Sequence, residues 1–342
     1  MSGSSLDGID VACCSFDLRD GRWAFTIEGA RTTEYDNETR ERLLLATEAS
    51  ALELARSHHR IGELIGSACA EVLKEHPADL IASHGHTVFH QPGEGFTTQI
   101  GCGATIAVRT GLPTICDFRT KDLALGGQGA PLVPMGERML FPEHDCFLNL
   151  GGISNISLHR EAMTIGYDIG PCNQALNRLA EEAGQPFDRD GSMAKNGSLV
   201  PDLLAQLNGL PFYSQIPPRS LGREWFDEHM APLIDDPRIP LPDRLRTMTA
   251  HIATMAAREL NAQGPTSVMI TGGGAHNGFL VELIRSMTTT RIEVPENTLI
   301  NFKEALIFAF LGLLRYWGEV NTLASVTGAG RDSVGGALYL PN

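Results

Sequence analysis

Three glycine turns, each reached from a short apolar or strand-like run, constrain this chain more than any other feature. They lie near residues 3–8, 149–155 and 271–277. The first, MSGSSLDGID, runs into an apolar stretch over Ile9–Phe16. The second, CFLNLGGISNIS (Cys146–Ser157), reads as strand, Gly151-Gly152 turn, strand. The third follows an apolar strand over Ser267–Ile270 and reads Thr271-Gly272-Gly273-Gly274-Ala275-His276-Asn277 before a helix. Glycine lets backbone approach a ligand that any Cβ would block. Amide N–H groups beside serine and asparagine suit a phosphate. Each turn alone also fits an ordinary hairpin, or in the first case a loose terminus. Their order, one strand–glycine hairpin early in each half and then a triple glycine, fits a nucleotide held in a cleft between two related domains. No G-x-x-x-x-G-K-[ST] occurs, and no complete G-x-G-x-x-G follows a strand, so neither a P-loop nor a Rossmann dinucleotide site is expected.

The chain's 342 residues exceed one compact core and predict two domains, 1–140 and 141–342, with the last ~20 residues packing back on the first. A net charge of −14 argues against a nucleic-acid partner. Seven scattered cysteines without a C-x-x-C predict a reduced, cytoplasmic protein with no disulfide framework. The first motif begins at Met1, so no signal peptide is expected. The apolar Ala305–Leu314 run is short of the ~18–20 residues that cross a bilayer, so no membrane partner is expected. A homodimer is compatible with the composition.

Asp117–Pro134 (DFRTKDLALGGQGAPLVP) follows an apolar strand, Leu112–Cys116. It puts a carboxylate at a sheet's carboxyl edge, where ligands of open α/β sheets bind. Pro131 is read as starting a helix that runs to Leu140. The same stretch also reads as a turn with a solvated charge run. Further helices are expected over Thr47–Lys74 and Thr247–Leu260, and Asp20-Gly21 predicts a hairpin turn. Residues 184–240, rich in Gly, Pro and Asp, are read as part of a lip that closes on substrate. Glu304 is placed at the start of the Ala305–Leu314 helix, either as a second catalytic candidate or as an N-terminal helix charge. His84, His86 and His90 admit a zinc hydrolase as the alternative function, with Asp122 beside them.

The blocks SGSSLDGID, SHGHTVFHQP, TQIG, DFRTKDLALGGQGAPLVP, NLGGISNIS, YDIGPCN, DRDGSMAKNG, PRSLGREW and TGGGAHN resemble, in order, those of the anhydro-N-acetylmuramic acid kinase family. Ser4 stands where threonine is usual, His86 where glutamine is common and Cys102 where aspartate is common. The resemblance implies an α/β fold with two ribonuclease-H-like domains of the actin/hexokinase type and an interdomain ATP cleft. It also carries a strand ahead of the SGSSLDG loop, so the first sheet is expected to lack one strand. The implied reaction phosphorylates O6 of 1,6-anhydro-N-acetylmuramic acid and opens the anhydro ring with water, in peptidoglycan recycling. Substrates and cofactors would be ATP, the amino sugar and magnesium.

The family's D-F-R aspartate, its catalytic base, falls on Asp117. The nucleotide is assigned to Gly3, Ser4, Ser5, Leu6, Asp7, Gly8, Ile9 and Asp10, to Asn149, Gly151, Gly152, Asn155, Asp168 and Gly170, and to Gly272, Gly273, Gly274 and Asn277. Magnesium would be held through water by Asp7 or Asp168. His84, His86, Gln99 and Arg119 are the expected sugar contacts, Arg119 also being open to a phosphate or a plain salt bridge.

Overall fold

A computed structural model describes residues 1–3, 6–160, 163–217 and 219–342, apart from the side chain of Arg223. The chain forms two α/β units, one made of Met1–Pro142 with Phe302–Asn342 and the other of Glu143–Asn301. The returning segment therefore carries most of a long helix as well as the tail.

In the first unit β1 (Gly8–Arg19) and β2 (Arg22–Glu34) form an antiparallel ribbon. Asp20 and Gly21 turn between them with φ of 51° and 76°, the two left-handed positions a tight hairpin needs. Strand β3 (Ile81–Ala82) runs parallel to β6 (Thr114–Cys116), whose other edge pairs antiparallel with β12 (Ala337–Tyr339). Strands β4 (His86–Gln91) and β5 (Phe96–Ile100) make a separate hairpin. The second unit holds β7 (Cys146–Leu150), β8 (Ile153–His159), β9 (Thr164–Pro171), β10 (Ser267–Thr271) and β11 (Arg291–Glu293). Their order, β11-β10-β7-β8-β9, makes β7 the central strand, antiparallel to β8 and parallel to β10. This is the ribonuclease-H-like arrangement. The first unit repeats the succession of ribbon, helix, strand, helix, strand, but β1 and β3 lie in different sheets. Along the edge of β1 away from β2, Met1 exchanges two hydrogen bonds with Asp10, at 2.7 and 2.9 Å.

Helix boundaries depart from the sequence expectation where caps compete. Ser50 accepts the Glu53 N–H and starts a helix at Ala51, running to Leu73, in place of the expected start at Thr47. Asp36 caps an unexpected helix, Asn37–Leu44. Pro131 does not start a helix. It follows a cis peptide bond, and the helix Val133–Leu140 carries Pro134 in its first turn. The helix placed after Glu304 in fact spans Asn297–Trp317, which puts Glu304 two turns inside it and removes the reading as an N-terminal charge. By length and composition this 21-residue helix could cross a membrane. Here its Leu306, Ile307, Phe310, Leu311 and Leu314 are buried in protein. A Cβ on Gly136 would lie 2.6 Å from Ile307, so glycine lets the Val133–Leu140 helix approach this one closely.

Residues 184–240, rich in Gly and Pro, pack in part within the second unit. They contribute the helix Pro201–Asn208 and bury Leu203, Leu207, Phe212, Tyr213 and Phe226 in the second unit's core. The helix Leu241–Gln263 packs there as well, starting earlier and ending later than expected.

Two buried polar contacts give testable consequences. Lys303 Nζ and Glu137 Oε1 lie 2.7 Å apart in the first unit, each almost fully buried. Replacing one partner takes the nearest opposite charge away from a buried ionic group. Lys303→Met is expected to cost about 3–5 kcal/mol in urea unfolding, and Lys303→Met with Glu137→Leu to recover most of it. In the second unit His251 accepts from the Tyr213 hydroxyl at 2.8 Å and donates to Asn208 at 2.7 Å. Burial lowers its pKa from 6.5 to about 3. The unfolded histidine takes its proton first as the medium acidifies. Its contribution is therefore complete above pH 6.5 and is lost as pH falls toward 3, at about 1.4 kcal/mol per pH unit. Stability measured between pH 7 and 4 should fall less steeply in His251→Gln than in the wild type.

Candidate active site

Strand β6 ends at Cys116 and hands the chain to Asp117, which has φ of 55°. A left-handed non-glycine residue is strained, and aspartate tolerates the region better than most. The helix Thr120–Ala124 begins three residues on. Thr120 donates its hydroxyl to Asp117 Oδ1 at 2.5 Å and its N–H at 3.4 Å. One carboxylate oxygen is thus fixed by the turn, and the side chain lines a pocket of about 240 Å³ within the first unit.

His84, Thr97, Thr98, Gln99, Cys116 and Thr120 line the same pocket, together with His58 and Tyr339. Gln99 spends its amide donors on Thr87 at 3.2 Å and Thr97 at 2.8 Å, which leaves Oε1 to accept. His84 receives Arg119 Nε–H on Nε2 at 2.9 Å and turns Nδ1 toward the Gly85 carbonyl at 3.2 Å. Burial, and then the Arg119 charge, push its pKa down to about 3, so the ring is neutral. Arg119 also donates to the Gly129 carbonyl at 2.7 Å, and burial lowers its own pKa to about 10. It is a brace for His84 and does not line the pocket.

The remaining histidines do not converge with His84. His86 Nδ1 accepts from Ser2, whose hydroxyl accepts from Tyr35, while His90 faces Thr97. Among the described residues no group of three or more His, Cys, Asp or Glu could hold a metal ion, so the hydrolase alternative has no centre here. Glu304 is accessible by area yet closely ringed by protein groups. Burial raises its pKa, against the pull of Lys303, Arg119 and the terminal ammonium.

Sequence reasoning missed His58, Thr120 and Tyr339. His58 belongs to the helix Ala51–Leu73, which sequence reasoning placed without assigning its histidines to a site. Tyr339 reaches the pocket through the pairing of β12 with β6, which has no local signal.

Ser4 and Ser5 lie outside the described residues. Their neighbour Leu6 has φ of 56° and is buried, and Gly8 sits where a Cβ would meet the Thr33 carbonyl oxygen at 2.4 Å. Gly3 accepts the Leu6 N–H, Asp7 accepts the Tyr35 N–H, Ile9 is buried, and Asp10 takes the Thr32 hydroxyl at 2.6 Å.

In the second unit the other two glycine turns come together. A Cβ on Gly272 (φ 82°) would lie 2.3 Å from Asn149 Oδ1 and 2.9 Å from Leu150, and one on Gly274 would lie 2.7 Å from Leu150. The start of the helix Asn173–Glu181 closes over Gly151 and Gly152, whose carbonyls accept from Asn173 and from Cys172 and Gln174. Asn155 stands opposite Asp168 in the β8–β9 register, and Gly170 accepts Ser154 Oγ–H at 2.9 Å. Asn277 is spent as a helix cap, accepting Leu280 N–H at 3.0 Å. Asp190 braces the same turn by accepting Gly278 N–H at 2.8 Å, a role for the DRDG block that spacing did not reveal. Asp168 Oδ2 accepts Leu221 N–H at 2.9 Å, and burial raises its pKa.

The model of the family described as "Anhydro-N-acetylmuramic acid kinase" matches residues 1–341. The anhydro-N-acetylmuramic acid kinase of Gloeobacter violaceus is 36% identical over 97% of this chain and 95% of that protein. The protein of the same name from Chromobacterium violaceum is 36% identical over 99% of this chain and 97% of its own length. Among solved structures, a ROK family glucokinase from Streptomyces griseus aligns over 88% of this chain and 99% of that chain, with 14% identity and a TM-score of 0.40. With near-complete coverage at this identity, the chain belongs to the anhydro-N-acetylmuramic acid kinase family.

Proposed function

We propose that this kinase transfers the γ-phosphoryl group of ATP to O6 of 1,6-anhydro-N-acetylmuramic acid while water opens the anhydro ring, giving N-acetylmuramic acid 6-phosphate. Its setting would be peptidoglycan recycling in the cytoplasm. The observation that carries this reading is Asp117, strained at a strand end, tied through one oxygen to Thr120 and lining a polar pocket.

The chemistry needs one base and a poised water. Asp117 takes a proton from water as its oxygen bonds to C1. The C1–O6 bond breaks, and O6 bonds to the γ-phosphorus as the β,γ-bridging bond breaks to release ADP. Attack opposite O6 inverts C1, as in inverting glycosidases. No separate protein acid is needed, because the phosphoryl group captures O6. Fixing Asp117 on a short turn keeps the base in register with the water. Glu304 is the second candidate for orienting that water. His84 and Gln99 are assigned to the sugar, with Arg119 acting through His84.

In the second unit the Asn149–Gly152 turn and Gly272–Gly274 are assigned to the nucleotide; added side chains at Gly272 and Gly274 would meet Leu150, so these two positions require glycine for the turns to approach each other. In the first unit residues 3–10 are assigned to phosphate. Asp7 or Asp168 would hold magnesium through water, where it would neutralise phosphate charge.

Asn keeps the left-handed backbone that residue 117 requires. Asp117→Asn should lower kcat at least ~10²–10⁴-fold in a coupled ATP-consumption assay, with nucleotide affinity within about threefold of wild type. Normal turnover would remove the assignment. Chelating magnesium with EDTA should abolish turnover, and adding it back should restore it. Turnover that persists in EDTA would overturn the metal assignment.

A further inference from the structure

His58 lies on the helix Ala51–Leu73, half-buried, and lines the Asp117 pocket. The Gly101 N–H donates to its Nδ1 at 3.2 Å. Nδ1 must therefore hold a lone pair, and in the neutral ring the proton sits on Nε2. Burial, and then the neighbouring His59, lower its pKa, which keeps that tautomer at neutral pH. His58 is thus a single neutral donor in a fixed ring. Two residues before Gly101, Gln99 presents the complementary group. Its amide hydrogens are used by Thr87 and Thr97, and Oε1 remains as an acceptor.

One acceptor and one neutral donor, joined through the Gln99–Gly101 backbone, match one functional group of an amino sugar. A secondary amide has an N–H to give and a carbonyl to receive, whereas a hydroxyl at the same carbon has no carbonyl. We propose that His58 is a specificity-determining residue that binds the acetamido group of the substrate, Nε2–H donating to its carbonyl oxygen while Gln99 Oε1 accepts its N–H. Tyr339, beside them in the pocket and 40% exposed, gives the acetyl methyl an apolar wall. This inference rests on the sugar-kinase reading above and adds the group by which the sugar is told from unsubstituted sugars.

The test compares two substrates with three proteins. His58→Phe keeps a ring without a donor, and His58→Gln restores an N–H near the position of Nε2. With 1,6-anhydro-N-acetylmuramic acid, His58→Phe should raise KM about 5–30-fold with kcat within about threefold, and His58→Gln should recover much of the loss. With 1,6-anhydromuramic acid, which keeps the lactyl ether and lacks the acetyl group, the KM change caused by His58→Phe should be at least several-fold smaller. Thermal unfolding establishes that each variant is folded. If His58→Phe is misfolded, His58→Gln against His58→Leu gives the same comparison. An unchanged KM, or an equal loss on both sugars, would overturn this inference while leaving the kinase intact. A wild-type protein that consumes no ATP with the anhydro amino sugar would overturn the kinase reading itself.

Discussion

The carboxylate of Asp122, 1% exposed, holds the glycine-rich stretch in shape. One oxygen accepts Gly129 N–H and the other accepts the Thr327 hydroxyl, both at 2.7 Å. Gly129 in turn accepts Arg119, and Arg119 donates to His84. A single buried acid thus connects the glycine turn, the returning C-terminal segment and a histidine at the pocket wall. Gly127 packs so closely on Asp122 that a side chain there would displace it. Leaving such a carboxylate unpaired in protein is costly, so the chain of contacts behaves as one unit and carries Asp117 and Thr120 with it.

Asp117 and its neighbours form one short, tightly bonded turn. Asp117 holds an unfavourable φ while Thr120 donates twice to one of its carboxylate oxygens, and the short helix behind it contains Asp122. Preorganisation of this kind moves the cost of placing a base from the reaction to folding.

Much of the architecture was legible where local chemistry decides. Asp-Gly and Gly-Gly marked two hairpins, and the triple glycine marked the turn after β10. Asp117 was legible as a carboxylate at a strand end, but its left-handed backbone was not. Helix starts failed where a cap a few residues away won, as at Ser50, or where the apolar pattern began before its densest part, as at Asn297. Arg119 read as a sugar or phosphate contact, or as half of a plain salt bridge. Its partner His84 is far away in sequence, and only the fold shows that the two are joined. His58 and Tyr339 reach the pocket from a helix face and an end strand, neither of which carries a local signature. The three histidines formed a plausible metal pattern in one dimension, which a positive φ at Gly85 and contacts to Ser2 and Thr97 disperse.

The first unit is assembled from both ends of the chain, whereas the second is one continuous segment. During synthesis the ribosome therefore releases a foldable second unit before the first can close. Until Phe302–Trp317 emerges, Phe16 and Trp23 have no Phe310 ring to meet, and Gly136 has no Ile307. The nascent amino-terminal half must wait with apolar faces uncovered through the translation of some 160 further residues, an interval in which a holding chaperone would find its binding surface.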